Sequence, residues 1–262
     1  MLEALRERLQ ELDRVVIAFS GGADSAFLAW VANDTLGSAR AHAVTAVSPS
    51  LAAAERDDCE ALAREWGLRW TPVETAELDD LAYVANDGDR CAHCKTALMD
   101  VAVPLAEAEG ATVVLGVNVD DLGDHRPGQA AASGRGAVFP LVEVGFTKAD
   151  VRAESRRLGL RTWDKPAAAC LASRIPYGTP VTVAVLGRVE RAEAGLRALG
   201  FGEVRVRHYG EVARLELPLD SLERVLRLRA EVVGAVRTAG YRWVTLDLEG
   251  LRSGNLNQLL GP

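Results

Sequence analysis

Three groups of residues in this chain of 262 have the types and spacing to do chemistry. The first is Ser20-Gly21-Gly22-Ala23-Asp24-Ser25. Upstream of it, Arg14 to Phe19 is rich in β-branched and aromatic side chains, as an interior strand of a parallel sheet requires, and downstream Phe27, Leu28 and Val31 recur at helical spacing. The pattern predicts a strand, a tight glycine turn and a helix N-terminus, whose unpaired N–H groups and positive dipole end form an anion site. Gly21 and Gly22 let the backbone approach a phosphate with no Cβ in the way, and Ser20 and Ser25 add hydroxyl donors. The second group is Cys91-x-x-Cys94 with the distant Cys170. A Cys-x-x-Cys pair alone is ambiguous among zinc, a redox dithiol and an iron–sulfur cluster. Three converging thiolates would leave one cluster iron open to an exchangeable sulfur; alternatively Cys170 is a nucleophile on its own, activated by Lys165 or Arg174. The third group is Arg205 and Arg207, which alternate with Val204 and Val206 and so emerge on one face of a strand, with Arg214 at the same parity on the next. Solvated arginines are the ordinary explanation, but two guanidinium forks at this spacing also suit a phosphate or carboxylate.

These groups need a scaffold, and the periodicities supply one. Leu2 to Leu12 reads as an amphipathic leading helix. Strands are expected at Ala41 to Val47, Leu68 to Val73 and Ala111 to Gly116, with helices at about Leu51 to Trp66, Cys91 to Glu109 and Thr147 to Leu158. The alternation implies a doubly wound parallel α/β sheet. Ligands gather at the carboxyl ends of such strands, which makes Val47 and Ser48 walls for a bound base. The loop Gly116 to Gly128 leaves the same edge and carries Asn118, Asp121 and Asp124, so it joins the site rather than merely facing solvent. Cys59 shares a helix stripe with Leu62 and Trp66 and is expected to be buried and inert. Residues 180–262 read as helix, strand, strand, helix, strand with a hairpin turned at Gly210, a smaller α+β domain after a first domain of residues 1–179.

Composition is that of an ordinary globular protein, and the net charge of -7 speaks against a nucleic-acid partner. No apolar run is long enough to span a bilayer and no signal-peptide pattern opens the chain, so a cytoplasmic location without membrane association is expected. Four cysteines do not make a disulfide framework at this length.

No lysine follows the glycines as a Walker A loop demands. Strand, Ser-Gly-Gly-x-Asp-Ser and helix together resemble the PP-loop of ATP pyrophosphatases. That resemblance implies ATP, with Asp24 placing Mg2+ against its phosphates, since hard carboxylate oxygen suits that ion. The chain more widely resembles the LarE family of ATP-dependent sulfur transferases, which act in nickel-pincer cofactor biosynthesis. The resemblance rests on the PP-loop, Leu115 to Gly128, Cys170-Leu-Ala-Ser-Arg-Ile-Pro-Tyr-Gly178, Ala192-Glu193, Leu196-Arg197, Arg205-Val-Arg207 and Asp247-Leu-Glu-Gly-Leu-Arg252-Ser-Gly. It implies adenylation of a carboxylate of a pyridinium dicarboxylate mononucleotide, attack by a sulfur carrier, and release of AMP. Because Cys91 and Cys94 accompany Cys170, the favoured carrier is a [4Fe-4S] cluster on these three, replenished by a sulfide donor; the alternative is sacrifice of the Cys170 sulfur. The resemblance makes Glu193 an acidic active-site residue beside Asp24 and Cys170, and Arg205, Arg207 and Arg252 substrate ligands; Arg126 and Arg174 join that substrate set.

Other functions fit parts of the pattern. A PP-loop tRNA thiolase would show salt-sensitive tRNA binding. An ammonia-using amide synthetase would tolerate loss of the cysteines, and a non-enzymatic nucleotide or metal carrier would bind ATP without forming AMP. A homo-oligomer is expected from the exposed sheet edge of the small domain.

Overall fold

A computed structural model describes residues 1–123, 127–166, 169–252 and 255–256. In chain order these residues form α1 (Leu2–Leu12), β1 (Val15–Ala18), α2 (Ala23–Leu36), β2 (Ala41–Val47), α3 (Ala53–Trp66), β3 (Arg69–Glu74), α4 (Leu81–Ala85), α5 (Arg90–Glu109), β4 (Thr112–Leu115), α6 (Pro127–Ser133), α7 (Pro140–Glu143), α8 (Lys148–Arg157), α9 (Val183–Ala198), β5 (Arg205–Tyr209), β6 (Val212–Glu216), α10 (Leu222–Arg227), α11 (Arg229–Thr238) and β7 (Trp243–Leu246). They divide into two compact units, residues 1–77 with 91–168 and residues 78–90 with 169–262.

The first unit is built on a parallel sheet in the order β3-β2-β1-β4. Both its faces are covered: Val15 and Ile17 of β1 join a core with Leu5, Phe27 and Leu62, while Val16 between them joins another with Met99 and Ala102. Burial on both faces explains why β1 is an unbroken apolar run. At the amino end of the sheet, Glu109 on α5 accepts from His42 Nδ1 at 2.9 Å and from both Arg69 Nη atoms at 2.9 and 2.6 Å. Desolvation works against its ionisation, but His42 and Arg69 outweigh it and hold the carboxyl below the usual glutamate range. A depressed carboxyl stabilises the fold above its unfolded pKa, and that contribution is lost as pH falls through the folded value. Glu109→Gln is therefore expected to lower stability at neutral pH and to flatten the acid limb of the stability curve, as urea titrations between roughly pH 3 and 6 will read.

The second unit has a sheet in the order β5-β6-β7, with β5 and β6 antiparallel around Gly210 and β6 parallel to β7. Gly210 takes φ 63°, the left-handed conformation this two-residue turn needs. One sheet face, with Val206, Ala213 and Leu215, packs on Leu196 of α9 and Val236 of α11. This division differs from a single cut at residue 179. Buried Asn86, just after α4, donates to the carbonyls of Pro176 at 2.8 Å and Thr179 at 2.9 Å, and Val181 N–H donates to Val84 at 2.9 Å. Residues 78–90 and 169–179 are thereby stitched to the second unit. The single helix expected before the last strand of this unit is two, α10 and α11, interrupted at Leu228.

Candidate active site

The first unit assembles the nucleotide side of the site. Gly21, at φ 69°, turns the chain from β1 into α2, and Gly22 is the N-cap, with no side chain capping the helix start. The first-turn N–H groups are left for a ligand. Ser25 Oγ donates to the Gly22 carbonyl at 3.1 Å and lies 3.0 Å from Ser20 Oγ, so one hydroxyl locks the loop while Ser20 stays exposed. Gly21 allows no side chain: a Cβ there would stand 2.9 Å from the sulfur of Cys59. Cys59 is indeed buried, its thiol pushed up to about 11 by desolvation.

Asp24 opens α2, and burial raises its carboxyl above the ordinary aspartate range, opposed by a 3.1 Å bond from Asn118 Nδ2 and reinforced by the charge of Asp121. Asn118 and Asp121 are buried and tie their own loop reciprocally, each backbone N–H donating to the other's side-chain oxygen, at 3.3 and 3.2 Å. Lys148 Nζ lies 3.6 Å from Asp121. Gly116 brings the two segments together, since a Cβ on it would lie 2.7 Å from Ser25 N and 2.8 Å from Ser25 Cα. Those are backbone atoms that cannot swing aside. Gly116→Ala is expected to displace the start of α2 and weaken ATP binding about tenfold or more, read by calorimetry. Val47 and Ser48 close β2 on the same edge, where Ser48 Oγ donates to the buried Glu77. Asp124 and Arg126 lie outside the described residues.

Cys91 and Cys94 sit near the start of α5, one exposed and one half-buried. Three residues apart, they share a helix face. They belong to the first unit and Cys170 to the second. Among the described residues, no three His, Cys, Asp or Glu side chains form a metal-binding group.

The second unit assembles the arginines. Cys170 is exposed, and its carbonyl accepts from Ser173 Oγ at 2.7 Å and from Arg174 Nη1 at 3.2 Å. Arg174 in turn donates to Glu193 from Nε at 2.8 Å and from Nη2 at 3.2 Å. Glu193 is fully buried and also accepts from Arg197 at 2.7 Å and from Val206 N–H at 3.1 Å. Both oxygens of Glu193, the residue expected to be catalytic, are thus engaged and shielded, and two of its bonds hold Arg174 in place. Arg207 is buried too, not solvated, with Nη1 2.7 Å from the Ser173 carbonyl and Nη2 2.8 Å from Glu216. Glu216 escaped the sequence reading. It is fully buried and binds Arg214 at 2.9 Å and Asn255 at 2.7 Å. Its signal was parity, because it shares a sheet face with Arg214 and pairs in register with Arg205.

Arg205 differs from its neighbours. Its one bond among the described residues is to the Arg252 carbonyl at 3.1 Å, and it has no carboxylate partner there. Desolvation, then the charges of Arg174 and Arg207, lower its pKa, so it stands in a region of excess positive charge. Arg252 bonds Glu249 and, at 3.2 Å, Asn255. A group placed against Arg205 would be an anion.

A parallel sheet with a Ser-Gly-Gly-x-Asp-Ser turn at its carboxyl edge defines a PP-loop enzyme that uses ATP. A family model described as NAD synthase matches residues 2–97, which contain that turn. The chain is 48% identical over 262 residues, 99% of its length and 97% of the relative's, to an uncharacterised protein of Synechocystis sp.. It is 38% identical over 253 residues, covering 96% and 92% of the two chains, to the pyridinium-3,5-bisthiocarboxylic acid mononucleotide synthase of Lactiplantibacillus plantarum. The chain belongs to the family of that synthase, as the sequence resemblance implied. Among the described residues no helix is long and apolar enough to cross a membrane.

Proposed function

We propose that this protein adenylates a carboxylate of a pyridinium dicarboxylate mononucleotide and converts it to a thiocarboxylate. The observation that carries the reading is the clamped loop of Cys170: an exposed thiol whose backbone is fixed by Ser173 and Arg174 to an arginine cluster in which half-buried Arg205 has no carboxylate partner among the described residues. A carboxylate is a poor electrophile until its oxygen becomes a good leaving group. In the first step that oxygen attacks the α-phosphorus of ATP, and pyrophosphate leaves into the turn at Gly21 and Gly22. Asp24 and Asp121 suit Mg2+, which takes one or two protein carboxylates and completes its shell with phosphates and water. Sulfur then attacks the activated carbonyl, AMP leaves with the C–O bond, and a thiocarboxylate remains. Arg205, with Arg252, receives the phosphate of the mononucleotide, while Arg174 and Arg207 supply the field around it.

The sulfur-handling residues are Cys91, Cys94 and Cys170. The donor set is all thiolate, with two members one helical turn apart, which fits an iron–sulfur centre. A [4Fe-4S] cluster held by these three would keep one iron without a protein ligand, available for an exchangeable sulfide. The proposal includes a homo-oligomer, for which the edge strand β7 with its exposed Trp243 is the candidate surface.

Anaerobic purification with iron and sulfide assay, followed by intact-mass measurement before and after turnover, tests the sulfur source. Stoichiometric iron with unchanged protein mass is the expected result. Loss of one hydrogen sulfide equivalent per chain would replace the cluster by sacrifice of Cys170, and a product without sulfur would overturn the function.

A further inference from the structure

The PP-loop has no lysine of its own, although ATP brings several negative charges to it. Backbone N–H groups and a helix dipole offer only partial charges in return. The first unit carries a full cation to the same turn from a segment more than a hundred residues later. Lys165 places its Nζ 3.7 Å from the position a Cβ on Gly21 would take, on the side of the turn formed by Cys59 and Leu62 of α3.

Its setting is unlike that of a surface lysine. The Lys165 side chain is 18% exposed, and Nζ lies 2.9 Å from Glu55 and 2.6 Å from Asp58, both on α3. The Lys165 carbonyl accepts from Arg152 of α8 at 3.4 Å. The ammonium is thus held beside the loop by α3, and the backbone that carries it by α8. An ammonium has three N–H donors, and the two carboxylates engage two of them. Asp58 is independently neutralised by Arg161 at 2.6 Å, so Lys165 is not needed there as a counter-ion. Lys148, the other lysine near the turn, is turned to Asp121. That division leaves the Gly21 side to Lys165.

We propose that Lys165 is the polyphosphate-binding cation of this PP-loop, its third N–H aimed at a β- or γ-phosphate oxygen and its charge stabilising the departing pyrophosphate. The inference rests on reading residues 20–25 as a pyrophosphate-gripping turn. Glu55 and Asp58 are positioning residues, holding the ammonium beside Gly21 in the way a P-loop holds its own lysine from within.

The test separates the phosphates. Binding of magnesium pyrophosphate and of AMP is measured by calorimetry on the full chain, wild type against Lys165→Gln. Loss of one charge-assisted hydrogen bond is expected to weaken pyrophosphate about tenfold to a hundredfold. AMP, which lacks the β- and γ-phosphates, is expected to bind unchanged. Because Lys165→Gln leaves Glu55 facing a neutral side chain, the double variant Glu55→Gln, Lys165→Gln is measured alongside, and Lys165→Arg is expected to recover most of the pyrophosphate affinity. Equal pyrophosphate binding by wild type and either glutamine variant would overturn the proposal, as would parallel losses for pyrophosphate and AMP. A wild-type protein that binds neither ligand would instead overturn the reading of the turn itself.

Discussion

Replacing Cys170 with alanine is expected to reduce thiocarboxylate formation by about a thousandfold or more, the scale on which removal of a reacting nucleophile is felt. ATP-dependent release of pyrophosphate in the presence of the carboxylate substrate is expected to persist, because adenylation uses the first unit and the arginines but no thiol. AMP itself stays on the acyl group until sulfur attacks. The variant is a clean one. Cys170 is exposed, and the bonds that hold its loop run to the backbone carbonyl, which alanine retains. An exposed substitution of this kind moves stability by only about half a kcal/mol. Product by mass spectrometry, pyrophosphate by a coupled assay and a melting curve on the same sample make the three measurements. A parallel pair, Cys91→Ala and Cys94→Ala, then separates the sulfur sources: equal losses at all three positions mean that the thiols act as a set, whereas full activity in the pair leaves Cys170 to act alone. Undiminished thiocarboxylate from Cys170→Ala would remove the thiol from the reaction.

How much of this was readable in advance depended on the range of the interaction. The turn at Ser20 to Ser25 was legible because its signal is local, an apolar strand run, two glycines and a helical repeat within a few residues of each other. So was the hairpin at Gly210, where a single positive φ fixes the register. The helix α4 was not legible. Residues 83–90 look polar and glycine-containing, yet Asn86 and Arg90 are buried because they bond carbonyls of residues 172–179. No local pattern announces a partner that far along the chain. The arginines failed for a related reason. Alternation correctly put Arg205, Arg207 and Arg214 on one sheet face, but it could not show that the Ser173 carbonyl, Glu216 and Asn255 cover that face and make Arg207 a buried residue. Lys165 is the extreme case: nothing in Asp164-Lys165-Pro166 points to Gly21, and only the packing of α3 and α8 brings them together.

The buried carboxylate at Glu193 leads to the other large expected effect. Glu193→Leu is expected to destabilise the second unit by about 3–5 kcal/mol, the penalty for removing one partner of a buried ion pair. Arg174 would be left 6% exposed with Nε and Nη2 unpaired, beside Arg205 and Arg207, and Val206 N–H would lose its acceptor inside β5. Against a total stability of about 5–15 kcal/mol that is a large fraction, and for a chain of this size it corresponds to a fall in melting temperature of about 10 °C or more. The damage is expected to start in α9 and β5, so amide exchange there accelerates while the PP-loop sheet keeps its protection. The double variant Glu193→Leu, Arg174→Met is expected to recover part of the loss, since an apolar pair of similar volume leaves no charge stranded. It should nevertheless stay inactive, because Arg174 is also the residue that holds the Ala169 and Cys170 carbonyls, at 2.6 and 3.2 Å. Recovery of stability without recovery of sulfur transfer is the signature of a carboxylate that works by aiming an arginine. If Glu193→Leu melts like the wild type, the ion pair is not what organises the loop of Cys170, and the clamped thiol loses its physical basis.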